Sequence, residues 1–169
     1  LVVGTGDFSE LALGWCTYNG DHMSMYSVNA NIPKTVIREV VSYEADRIKN
    51  ERLSKILKDI VETPVSPELL PNKKDKIAQK TENIVGPYEL HDYFLYIFMH
   101  VGLDVEALVK NAITDFEGKY DEKTIKRWLK VFIKRFFSQQ FKRNCSPDGP
   151  QIFSFSFSPR GGFLMPSDA

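Results

Sequence analysis

The sequence predicts an α/β fold, mostly helical within this chain, with one short N-terminal strand. Three observations lead there. The chain opens on a short apolar run, Leu1-Val2-Val3, that stops at Gly4, the pattern of a buried strand. A Gly-containing turn follows, then Asp7 with Glu10 three residues on, the spacing of a helix capping box. Beyond it, apolar residues recur in segment after segment at a helical period of about 3.6. A lone strand leaves its backbone N–H and C=O groups without neighbours. Its partners come either from the tail near 152–157 or from chain outside this sequence, and the second reading is favoured. The sequence reads as the back part of a larger α/β protein.

The first helix runs from Phe8 and ends near Gly14, and Tyr18-Asn19-Gly20-Asp21 is a turn signal. A second helix begins at Pro33, with Val36, Ile37, Val40 and Val41 as its stripe. Leu53, Ile56, Leu57 and Ile60 mark a third helical stretch whose other face is charged and solvated. Residues 63–86 carry Pro64, Pro67 and Pro71 and a polar run, Asn72-Lys73-Lys74-Asp75-Lys76. A connection above ~15 residues without periodicity is usually functional or mobile, so this segment is expected to be a mobile loop over a ligand. Pro87 opens the next helix and Gly102 closes it; Asp104 caps another, which ends at Gly118. Asp121 caps the best-defined helix, apolar at 125, 128, 129, 132, 133, 136 and 137, with Lys123, Lys126, Arg127, Lys130 and Lys134 opposite. From Gln151 the chain turns irregular.

Composition narrows the function. The 169 residues suit one domain, and 43% apolar with 26% charged residues excludes global disorder. Lys plus Arg and Asp plus Glu are 22 each, so no global pull toward nucleic acid or a membrane is expected. Apolar runs fall far short of the ~18 residues of a transmembrane helix. Cys16 and Cys145 are too few for a disulfide scaffold and lack metal-ligand spacing. A cytoplasmic, reducing location is expected.

Thr5, Asp7, Ser9 and Glu10 lie just beyond a strand end, where α/β sheets bind ligands and a helix N-terminus favours anions. A carboxylate beside a phosphate is an electrostatic cost unless Mg²⁺ lies between them, so Glu10 suggests metal plus phosphate. Plain N-capping explains the same residues, and on composition alone it is the simpler reading. Trp15, Tyr18, Asn19, Gly20, Asp21 and His22 suit a flat heterocycle and a ribose; an ordinary turn with Trp15 in the core suits them equally. Lys34 at a helix start opposes the dipole, a cost that a phosphate ligand or simple solvation offsets. Lys134 and Arg135 read as a solvated basic face, whereas Lys142 and Arg143 lie past the apolar stripe, free to reach an anion. His22, His91 and His100 form no metal constellation, and the last two read as helix-surface or satisfied core residues. Neither cysteine has a nearby base, so a thiol nucleophile is not expected. No G-x-S-x-G, Walker A or G-x-G-x-x-G motif is present.

Five blocks together resemble one family: Val3 through Trp15 (VGTGDFSELALGW), Asn29 through Thr35 (NANIPKT), Thr63 through Leu69 (TPVSPEL), Thr81 through Leu90 (TENIVGPYEL), and Arg135 through Arg143 (RFFSQQFKR) continuing to Pro150. In this order they resemble the C-terminal part of the synthetase domain of glutamine-dependent NAD(+) synthases, over nearly the whole chain. The resemblance implies a Rossmann-like adenine nucleotide alpha hydrolase fold of the ATP-pyrophosphatase type. It implies ATP-dependent amidation of nicotinic acid adenine dinucleotide (deamido-NAD) to NAD through an acyl-adenylate, with ammonia from glutamine. By the family pattern Thr5, Lys34 and Thr63 contact ATP, with Lys34 near its phosphates. Glu10 matches a position tied to Mg²⁺ in short members and to the dinucleotide in long ones. Trp15, Tyr18, Asn19, Gly20, Asp21 and Lys142 fall on the deamido-NAD site. No side-chain nucleophile is implied, since the substrate carboxylate and ammonia attack.

Two departures stand out. The family's Ser-Gly-Gly-x-Asp-Ser pyrophosphate loop and its glutaminase domain are not in this sequence, so the chain is expected to be an inactive fragment of a full-length enzyme that forms homo-oligomers. Gly162-Phe163 stands where members tend to have Asp-Trp. Two alternatives compete: another ATP-pyrophosphatase amidotransferase, such as a GMP or asparagine synthetase relative, and a non-catalytic helical interaction module built on helix 121–140.

Overall fold

A computed structural model of the chain describes residues 1–65, 81–102 and 104–168. The described elements are β1 (Val3–Gly4), α1 (Phe8–Leu13), a 3₁₀ turn (Asp21–Met23), β2 (Tyr26–Ser27), α2 (Lys34–Arg47), α3 (Glu51–Glu62), α4 (Thr81–Val85), α5 (Tyr88–Val101), α6 (Val105–Asp115), α7 (Glu122–Ser138) and α8 (Gln140–Arg143).

β1 pairs in parallel with β2, Val3 opposite Tyr26 and Gly4 opposite Ser27. This corrects the expected source of the partner strand, which lies within the chain at Tyr26–Ser27. Two residues are too few to show alternation in a sequence. The tail is not a strand; the buried carboxamide of Asn31 holds it. Asn31 Oδ1 accepts from the N–H groups of Ile152 (2.6 Å) and Phe153 (2.7 Å), and Nδ2 donates to the Phe155 carbonyl (2.7 Å). That anchor lays Phe157 on Phe8, ring centroids 4.4 Å apart and nearly coplanar.

The caps read from the sequence are present. Asp7 accepts from Glu10 N while Glu10 reaches back to Asp7 N, closing the box. Asp104 and Asp121 cap α6 and α7 through Ala107 N and Thr124 N. α1 ends at Gly14, φ +58°, and a Cβ there would lie 2.3 Å from Gln139 Cβ. Glycine is needed twice over, for the left-handed backbone and for the close approach of the segment after α7.

α7 organises the core. Its stripe Ile125, Trp128, Leu129, Phe132 and Phe136 is buried against Phe8, Ala12 and Leu13 of α1, Leu90, Phe94 and Leu95 of α5, and Leu108 and Ala112 of α6. α2 and α3 form an antiparallel pair joined by Arg38 Nη2 donating to the Val61 carbonyl at 2.9 Å. Here the expected stripe stays largely outside: α2 buries only Ala45, and Val36, Val40, Leu53, Ile56 and Ile60 are exposed. The 63–86 connection is also shorter than expected at its end, because residues 81–85 form α4. Ser66, Pro67, Glu68 and the Lys-rich run lie outside the described residues.

Candidate functional site

The turn after β1 delivers Asp7 to the start of α1, and the capping box fixes Glu10 one turn later. Lys34 begins α2 directly across from them. Its ammonium lies 2.6 Å from Asp7 Oδ2 and 3.0 Å from Glu10 Oε1, and 5.1 Å above the Tyr88 ring. Burial raises Asp7 above the usual carboxylate range. Burial, then the Asp7 charge, push Glu10 up to about 7. Burial pulls Lys34 down, but the two carboxylates outweigh it and hold the ammonium above its ordinary value. Two carboxylates therefore share one cation in a half-sealed site, short of neutrality when both are ionised. The Tyr88 hydroxyl is buried beside them without a hydrogen-bond partner among the described residues.

One group that sequence reasoning passed over completes this corner. Asp92 on α5 is buried; its Oδ1 accepts from Ser9 Oγ, and its Oδ2 from Thr35 N (3.0 Å) and Thr35 Oγ1 (2.7 Å). Ser9 Oγ in turn accepts from Lys34 N at 2.8 Å. The available signal was position: Asp92 falls four residues after Tyr88 and three before Leu95, on the face of α5 that is otherwise apolar.

The second cluster sits at the other end of α1. Three cations converge on its C-terminal carbonyls, where the helix dipole favours positive charge. Arg135 Nε donates to Leu13 O (2.8 Å), Lys142 Nζ to Gly14 O (2.9 Å) and Cys16 O (2.8 Å), and Arg143 Nη1 to Ala12 O (3.0 Å) and Leu11 O (3.2 Å). Arg143 also donates to the Phe136 carbonyl and packs on the Phe136 and Phe157 rings. It is fully buried, which corrects the expectation that it is free for an anion. Burial lowers it to about 10, so it stays charged at neutral pH. Lys142 spends two of its three N–H donors on carbonyls and keeps one.

Arg135 also lies over the Trp15 ring, 5.1 Å from its centroid, and Trp15 is half-buried against the core. Tyr18 is half-exposed between His22 and Phe141. Asn19 adopts φ +57°, and Asp21 Oδ2 accepts from Thr17 N at 2.5 Å. A small cleft of ≈ 30 Å³ lies beside Glu10, lined by Gly4, Gly6, Cys16, Asp21 and Ser27 among others. That is about the share of one water in the liquid, so these walls alone do not enclose a dinucleotide.

Thr5 is exposed in the turn itself. Thr63 ends α3, its hydroxyl donating to Asp59 O at 2.7 Å, beside the first turns of α2. It has no described bond to Lys34 or Glu10. His91 is a core residue: Nε2 meets Val85 O at 2.5 Å, and burial lowers its pKa to about 4. A much larger cavity, ≈ 860 Å³, lies between α6 and α7 under Val109, Ile113, Leu129 and Ile133; none of the cluster residues line it.

A parallel strand pair whose ends feed a carboxylate–lysine cluster is the geometry against which known proteins can be compared. The sequence model described as NAD synthase matches residues 1–144. The chain belongs to the NAD synthase family. It is 37% identical over 188 aligned residues to the glutamine-dependent NAD(+) synthetase of Mycobacterium leprae, covering 99% of this chain and 28% of the relative. The protein of the same name from Acinetobacter baylyi is 25% identical, covering 94% of this chain and 26% of the relative. The crystal structure of a glutamine-dependent NAD(+) synthetase from Cytophaga hutchinsonii shares the fold, with TM-score 0.72 at 18% identity, over 99% of this chain and 24% of that one. The chain thus spans about a quarter of the length of the relatives it matches. Membership of the NAD synthase family favours this assignment over a GMP or asparagine synthetase relative.

Proposed function

We propose that this chain forms the nucleotide-facing, C-terminal part of a glutamine-dependent NAD(+) synthase. The full-length protein then amidates deamido-NAD with ATP and ammonia released from glutamine. A nicotinate carboxylate oxygen attacks the α-phosphorus of ATP, and the bond to pyrophosphate breaks with its electron pair leaving on pyrophosphate. Ammonia then attacks the acyl carbon, AMP departs, and the new amide loses a proton. The observation that carries this reading is the Lys34 ammonium held at the carboxyl end of the strand pair by Asp7 and Glu10. A preorganised cation there meets the negative charge that develops over the phosphates.

The donor set fits magnesium arriving with ATP. Among the described residues no group of three or more His, Cys, Asp or Glu could hold a metal. Mg²⁺ ordinarily takes one or two carboxylates and completes its shell with phosphates and water, and Glu10, one-fifth exposed, is placed to give one. Bound there, the ion would neutralise phosphate charge. Trp15, Tyr18, Asn19, Gly20 and Asp21 then form one wall for deamido-NAD, with the remaining N–H of Lys142 beside it. Thr5 and Thr63 approach ATP from the turn and from the end of α3.

A cytoplasmic location is part of the same reading, and both cysteines are free. The full-length protein is read as a homo-oligomer; the exposed apolar face of α2 and α3 calls for a cover, from a second copy or from the rest of the longer protein. The test of the catalytic reading is Lys34→Gln in the full-length enzyme, assayed with ammonia as nitrogen donor. NAD formation should fall by about a hundredfold or more in the folded variant, with a lower melting temperature because Asp7 and Glu10 lose their shared cation. An unaltered rate would remove Lys34 from the reaction.

A further inference from the structure

We infer that Asp92 is a positioning residue for the Lys34 ammonium, acting through Ser9 and the first turn of α2. The inference rests on the reading that Lys34 serves the nucleotide phosphates. α2 begins after Pro33, which gives it no side-chain cap. A helix N-terminus left that way exposes N–H groups that need acceptors. Here they come from other elements. Lys34 N donates to Ser9 Oγ of α1, and Thr35 N donates to Asp92 Oδ2 of α5. Ser9 Oγ donates a hydrogen bond to Asp92 Oδ1, and Thr35 Oγ1 donates to Oδ2. One buried carboxylate thereby accepts from three protein donors and ties α1, α2 and α5 together at residues 9, 34 and 35.

The consequence falls on Lys34. Its backbone nitrogen is fixed through Ser9, which stands between Asp7 and Glu10 on the same turn of α1. The atoms that set where the Lys34 side chain starts and the two carboxylates that receive its ammonium are therefore held by a single network. Asp92 does not touch the ammonium in this network; it fixes the frame. Its negative charge at the positive end of α2 also offsets the unfavourable placement of a lysine there. Asparagine keeps the shape of Asp92 but replaces one acceptor with a donor. With its oxygen kept on Thr35, its amide faces Ser9, and the Ser9 proton loses its acceptor.

The test is a double-mutant cycle in the full-length enzyme, with ammonia as nitrogen donor and adenylation followed by pyrophosphate release. Asp92→Asn should lower kcat of adenylation by about tenfold to a hundredfold, the scale of a misplacement of about 1 Å. In a Lys34→Gln background the same change should cost less than about twofold, because what it misplaces is already gone. Ser9→Ala should show the same coupling with a smaller loss, and it carries the cycle alone if Asp92→Asn does not fold. A purely structural cap predicts instead equal losses in both backgrounds, and that result overturns the inference. So does an unchanged rate for both single variants with Lys34 present. If Lys34→Gln alone leaves adenylation intact, the catalytic reading itself fails and this inference falls with it; a large Lys34→Gln loss with additive Asp92→Asn isolates the failure to Asp92.

Discussion

Lys34 stands at the N-terminus of a helix, where the dipole repels a cation. The fold offsets this with Asp7, Glu10 and, through the backbone, Asp92. Removing Glu10 tests the other half of the pair. Glu10→Gln in the full-length protein should slow pyrophosphate release by about tenfold or more, read in single-turnover experiments; a normal release rate contradicts the metal-and-phosphate role. His91 supplies a separate, structural prediction. It is buried neutral, with Nε2 on Val85 O and Nδ1 without a partner among the described residues. Its folded pKa of about 4 lies below the ordinary 6.5, so the unfolded chain binds the extra proton. Stability from this group is complete above pH 6.5 and is lost as pH falls toward 4, by on the order of 3 kcal/mol at full effect. Denaturant titrations should show that slope, and His91→Gln should flatten it. The individual side chains were legible in the sequence where they obey local rules. Glu10 and Lys34 were found from the strand-turn-helix pattern and the family blocks. Asp92 was not, since nothing local marks a carboxylate that serves as the cap of a helix 57 residues away.

At the scale of elements, α1 is only six residues long and is fastened at both ends. Its N-terminus closes on its own capping box. Its C-terminus is held by Arg135, Lys142 and Arg143 from the end of α7 and from α8. Arg143→Met should destabilise the protein by on the order of 3 kcal/mol, because buried carbonyls of Leu11, Ala12 and Phe136 lose a charged donor; equilibrium unfolding measures it. Gly14→Ala should cost about 1 kcal/mol or more from the left-handed backbone and the approach of Gln139. A change below a few tenths would show that the turn relaxes freely. Helices and caps were readable because each depends on residues three or four apart. β2 was not, because two residues carry no period, and its parallel pairing with β1 depends on the crossover formed by residues 5–25. The burial of Arg143 was equally hidden. A basic residue after an amphipathic stripe reads as solvated until the carbonyls of another helix are seen to meet it.

Across the whole molecule, the two clusters lie at opposite ends of α1, and one small cleft lies beside Glu10. The proposed site takes from this chain a lysine, two carboxylates and one aromatic wall, while the chain's relatives are about four times as long. The isolated chain, given ammonia, ATP and deamido-NAD, should therefore form no NAD; detectable product would show that it holds a complete site. The large groove between α6 and α7 and the apolar outer face of α2 and α3 were not foreseen as exposed, since a periodic stripe shows which face is apolar and not whether anything covers it. The most direct measurement is a crystal structure of the full-length protein with a non-hydrolysable ATP analogue and magnesium. The account predicts a phosphate oxygen within hydrogen-bond reach of Lys34 Nζ and the metal between the phosphates and Glu10. A triphosphate bound away from both side chains would contradict it.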